Sequence, residues 1–230
     1  MQHRLVVTRA WHSPIVYLVV AAWLALLVLA ASGNGAVIRH DRLLQGGPPL
    51  WLAALAFLVG WQVMIVAMMV PASLHAFHRV APWRELGRFG AAYLTVWTVF
   101  GLAIFLLDAA LHFSVNHWAW LADRSWLIPG SVLVLCGTYQ LSDLKARSLE
   151  RCRDTTSTGF RHAIHCVGAS GGLMLLAFAL AASSLVAMAA VTAAMAVEVT
   201  SVGRALVRLL GYGLIGLGVL VLYGPIQKPF

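Results

Sequence analysis

Met64, Met68 and Met69 crowd one stretch of the chain, and His165 and Cys166 stand side by side in another. On a helix, Met64 and Met68 share a face with Trp61 one turn before them, and Met69 sits about 100° further round. Thioethers either fill irregular packing gaps or bind Cu(I). Thiolate, neutral imidazole and thioether together favour Cu(I), whereas Zn(II) prefers the first two. Further on, Met188 and Met195 lie on one helical face with Glu198 one turn below. An acid bordering an apolar span is costly unless paired or hydrated, and Arg204 and Lys145 are its candidate partners. Each feature also has a plain reading: methionines as core, histidines His162, His75 and His78 in headgroups, Cys136 as a small buried residue.

The elements that must position these groups are membrane helices. Of 230 residues, 61% are hydrophobic and 10% charged, with a mean hydropathy of +0.85. A soluble domain carries about 25% charged residues. The longest polar interruption, 143–161, is too short for a core of its own, so residues 1–230 read as a single transmembrane helical domain. The net charge of +8 flanks the apolar runs, which fits orientation and anionic headgroups, not nucleic acid. Three cysteines without C-x-x-C spacing argue against a disulfide framework.

In order, Arg4 and Arg9 precede an apolar run over 14–31, longer than a signal-peptide core and read as an uncleaved first span. A second span covers 50–70 and is stopped by Pro71, before a basic loop over 72–88. A third covers 89–111; Trp118, Trp120 and Trp126 then form an interfacial cluster. A fourth covers 126–141, with a helical extension through Asp143 into Lys145. The stretch 166–203 suits two helices turning at Ala182-Ser183-Ser184, and a last span over 205–223 presents Gly211, Gly213, Gly216 and Gly218 as one close-packing side. Seven spans with a cytoplasmic N-terminus put Arg4, Arg9, Arg79, Arg84, Arg88, Lys145, Arg147, Arg151, Arg153, Arg161, Arg204 and Arg208 inside. Arg39, Arg42, Arg124 and Lys228 fall outside, the asymmetry the positive-inside rule asks for. This orientation sets Met64, Met68, Met69, His162, His165, Cys166, Asp143 and Glu198 at one depth, near the inner face. No G-x-S-x-G, H-E-x-x-H, P-loop or paired intramembrane acids occur, so no catalytic residues and no enzyme are expected.

Gly60-Trp61-x-x-Met64-x-x-Ala67-Met68-Met69-x-Pro71, then Tyr139-Gln140-Leu141-x-x-Leu144-Lys145, Cys152-Arg153, Cys166-Val167-Gly168, Leu173-Met174, Met188, Met195 and Glu198 follow in order. This series resembles a bacterial integral membrane family described as predicted metal-binding, or copper-chaperone-like. That family continues Cys-x-Gly with two cysteines and a tryptophan, where this chain carries Ala169, Ser170 and Gly171; its acid is followed by lysine, here Val199. The resemblance implies a multi-pass protein of the bacterial inner membrane that binds or delivers a soft metal, copper as Cu(I). Met64, Met68, Met69, His165 (or His162), Cys166 and Glu198 would form the metal site, with Asp143 balancing charge. The alternative is an accessory subunit of a larger membrane complex, such as a copper-dependent oxidase or monooxygenase. Expected partners are the lipid bilayer and such subunits or a copper protein.

Overall fold

The computed structural model describes residues 14–32, 49–80, 83–153, 158–181, 185–200 and 203–223, and the fold among them is all-helical. In chain order, α1 is Pro14–Ala31, α2 Leu50–Phe77, α3 Trp83–His117, α4 Ala119–Ala122 and α5 Leu127–Gln140. There follow α6 Asp143–Arg153, α7 Gly159–Ala181, α8 Leu185–Glu198 and α9 Gly203–Tyr223. The basic flank with Arg4 and Arg9, the loop with Arg39 to Arg42, the Ala182-Ser183-Ser184 turn and Lys228 lie outside the described residues.

Five of these helices, α1, α2, α3, α7 and α9, are long and apolar enough to cross a membrane; α5 and α8 are apolar but shorter, 14 residues each. The outer faces of α1, α3 and α9 carry large apolar side chains into the open, among them Tyr17, Val28, Val99, Leu107, Leu209 and Leu220. Such a belt is far beyond the apolar patches that soluble monomers tolerate.

Pro71 does not end α2, which runs on to Phe77 with the proline inside it. Proline has no N–H, so the carbonyl four residues back, that of Ala67, loses its intrahelical donor. The Trp23 indole of α1 supplies it instead, Nε1 to Ala67 O at 3.0 Å. The basic connection shrinks accordingly, because α3 begins at Trp83. At the other end α3 extends to His117, leaving Trp118 and Trp120 exposed, with Arg124 over the Trp120 ring.

The interior is built around Trp61. Its Nε1 donates to Trp97 O at 2.9 Å, and its ring meets Phe57, Phe100 and Phe178. A side chain at Gly101 would collide with that indole. Gln62 hydrogen-bonds Thr98, tying the same two helices. Elsewhere α5 and α9 make the closest pairing: a Cβ on Gly137 would lie 2.8 Å from Gly211 O, and one on Gly218 2.9 Å from Gly130 O. The glycine side expected of the last helix is thus two separate faces. Gly211 and Gly218 meet α5, while Gly213 and Gly216 have nothing within 4 Å.

The expected extension of the fourth span is a break and a new helix. Ser142 caps α6: its Oγ accepts from Lys145 N at 3.2 Å, the usual N-cap arrangement. Lys145, Ser148, Leu149 and Cys152, spaced along one face, are the buried residues of α6, which packs along α7.

Candidate metal centre

Cys166 is 1% exposed and sits where α2, α3, α6 and α7 converge. Its Sγ lies 3.2 Å from the Tyr93 hydroxyl and 3.6 Å from Ser73 Oγ. Ser73 follows Met69 by one turn of α2, and the Tyr93 hydroxyl also reaches Met69 O at 3.5 Å. From α6 the Cys152 thiol hydrogen-bonds toward Cys166. That approach depends on Gly168, two residues on from Cys166, because a Cβ there would strike Ser148, one turn before Cys152. The hydrogen bond with Cys166, and burial after it, push the Cys152 thiol well up. It is therefore protonated at neutral pH, and a soft cation bound there must displace that proton.

Two imidazoles adjoin the thiols. His162, one turn before Cys166 on α7, is fully buried, and neither ring nitrogen meets a hydrogen-bond partner among the described residues. A buried polar group left unpaired costs about 1–3 kcal/mol, so this ring fits a place meant for a further ligand. It is stacked by Tyr93, centroids 6.1 Å apart, and crossed by His75 of α2 at 6.0 Å. His75 Nε2 lies 3.2 Å from Cys152 O. A carbonyl only accepts, so Nε2 carries the proton and Nδ1 keeps the lone pair. His75 also lines a cleft of about 470 Å³ with Pro71, Arg153, Ala196 and Thr200.

A second group lies beside the first. Lys145 Nζ is 2.8 Å from Glu198 Oε2, with both side chains 1% exposed, and it donates to Ala169 O at 2.6 Å. Gln140 Nε2 donates to Glu198 Oε1 at 2.8 Å. Lys145, not Arg204, is thus the partner of the acid, and both carboxylate oxygens are engaged. Burial lowers the pKa of Lys145 while Glu198 pulls it back up. Arg153 closes the end of α8, donating to the carbonyls of Glu198, Val199 and Thr200 at 2.6–2.8 Å.

Met64, Met68 and Met69 are all buried on α2, and Met188 and Met195 on α8, two helices that pack together. His165 is half-buried, with Arg151 and Arg161 as its electrostatic neighbours. Of the two adjacent histidines, His162 is the one on the Cys166 face. Asp143 lines a second cleft, with Gln140, Lys145, Arg204 and Arg208. Among the described residues no three His, Cys, Asp or Glu side chains gather closely enough to hold a metal ion. The soft groups come as a thiol pair and an imidazole pair. Cys152 carried no ligand role in the sequence reading, yet its place on the inward face of α6 follows from the spacing of Lys145, Ser148 and Leu149.

Among the described residues the fold is all-helical, with five helices long and apolar enough to cross a membrane and a cluster of thiol and imidazole side chains buried between them. A family model described as PpoB2, copper chaperone, matches residues 58–221. The chain belongs to this copper chaperone family, as the motif series implied, and the matched stretch holds every residue of the thiol and imidazole cluster. No curated protein and no solved structure matches the chain.

Proposed function

We propose that this protein is a multi-pass protein of the bacterial inner membrane that binds Cu(I) and hands it on without catalysing a reaction. The observation that carries the reading is the Cys152–Cys166 thiol pair, buried beside an imidazole whose ring nitrogens have no hydrogen-bond partner among the described residues. Thiolates select Cu(I), a closed-shell ion that accepts two sulfur ligands. The two sulfurs are the seat of the ion; His162 adjoins them without completing a three-ligand set, and Met64, Met68 and Met69 offer thioethers deeper in the bundle. His165 faces arginines and Glu198 is held by Lys145 and Gln140, so we place both outside the ligand set. Seven spans, with α5 and α8 completing the five long helices and the N-terminus inside, set this cluster at the cytoplasmic face.

The test is metal analysis of the detergent-solubilised protein after Cu(I) loading under reducing conditions. About one copper per chain, lost from Cys152→Ser/Cys166→Ser and kept by Met64→Leu/Met68→Leu, is the expected pattern. Copper lost from the methionine variant alone would move the site into the bundle; no copper in the unaltered protein would end the proposal. A second reading, an accessory subunit of a larger membrane complex, draws on Gly213 and Gly216, which face open space on α9 as helix-packing residues do. Native mass spectrometry after mild solubilisation separates the two, since an isolated monomer counts against the subunit.

A further inference from the structure

Cys152 and Cys166 are each no more than 2% exposed, so an ion held by the thiol pair has to pass another group on its way to solvent. We propose that His75 is the port for the soft ion, and that the cleft beside it receives Cu(I) carried by a small thiolate complex; this rests on the copper-binding reading above. His75 both lines the open cleft and touches the buried group, through the His162 ring on one side and the Cys152 carbonyl on the other. That carbonyl orients the ring and leaves Nδ1 free to ligate.

The chemistry of the cleft favours the form in which the ion arrives. Arg153 forms part of its wall, and a guanidinium repels a bare cation. A Cu(I) ion held by two thiolates carries a net negative charge and is drawn to it. In the exchange, a bond from copper to the carrier sulfur breaks as one to His75 Nδ1 forms. The ion then passes to the sulfurs of Cys152 and Cys166. Protons displaced from the two thiols leave with the released carrier thiolates, so charge and protons balance and copper stays Cu(I) throughout.

The test uses the full-length protein in detergent, loaded from a Cu(I)–small-thiol complex and unloaded by a chromophoric Cu(I) chelator in a stopped-flow instrument. His75→Gln retains a side-chain N–H for the Cys152 carbonyl but offers no imidazole lone pair. Loading and unloading should both slow by at least about tenfold, with the final copper content unchanged. Unchanged rates in a variant that still fills would overturn the port. Lost copper content would overturn it too, by making His75 part of the resting site. If His75→Gln fails to fold by thermal melt, Ala196→Leu, which narrows the cleft without touching His75, should slow the same rates; equal rates there refute the route. An unaltered protein that binds no copper fails the copper reading itself, and so is told apart from a failure of the port.

Discussion

Replacing Lys145 by methionine removes the ammonium that sits 2.8 Å from Glu198 Oε2 in a setting where both side chains are 1% exposed. The carboxylate is then left buried, with Gln140 as its remaining side-chain donor among the described residues. Removing one partner of a buried ion pair costs about 3–5 kcal/mol, which lowers the melting temperature of a chain this size by about 10 °C. Glu198→Met is comparably costly, because it strands the ammonium on the Ala169 carbonyl and frees the Gln140 amide, whose Oε1 already lacks a partner. The double variant Lys145→Met/Glu198→Met carries neither charge. What remains is the unpaired Gln140 amide, about 1–3 kcal/mol, because Ala169 O lies inside α7 and keeps its intrahelical bond, so the double variant should melt above both single variants. The assay is thermal unfolding in mild detergent followed by far-ultraviolet circular dichroism, run as a double-mutant cycle. Additive losses, with the double variant below both singles, would refute the reasoning. Copper content supplies an independent check. The double variant should fill like the unaltered protein, and a loss of copper would return Glu198 to the ligand set.

Trp23→Phe should cost about 1–3 kcal/mol by leaving the Ala67 carbonyl without a donor, and Pro71→Ala on that background should restore most of it by returning the intrahelical bond. Thermal melts of the three variants decide. Gly137→Ala and Gly218→Ala push side chains onto facing backbone and should destabilise by about 1–3 kcal/mol. Gly213→Ala and Gly216→Ala, with open space around them, should leave the isolated protein unchanged or raise its stability by up to about 1 kcal/mol.

The helical class and the rough position of every described span are legible in the sequence, because long apolar runs and basic flanks are local signals. So is the need of Glu198 for a cation, since an isolated acid among apolar residues poses that question by itself. Its answer lies 53 residues away at Lys145. Pro71 misleads for the same reason. Proline's effect on its own helix is local, but the indole that repairs it stands 44 residues before the Ala67 carbonyl. The pairing of Cys152 with Cys166 depends on α6 folding back along α7 at Gly168, and no spacing between the two cysteines announces it. His75 gives no hint of its place, because a histidine near a helix end looks alike whether it faces headgroups or a neighbouring imidazole.

The indole of Trp23 has a bearing on how the protein is made. A helix entering hydrocarbon with an open carbonyl in its ladder finds no water there to satisfy it, and α2 carries such a gap at Ala67 by virtue of Pro71. Its donor belongs to α1, which leaves the ribosome before α2. If the chain is the multi-pass membrane protein proposed above, synthesis in chain order sets the plug in the membrane before the hole arrives. A chain in which α1 were moved behind α2 would have to insert with that carbonyl bare, so the order of these two helices is part of how the bundle assembles.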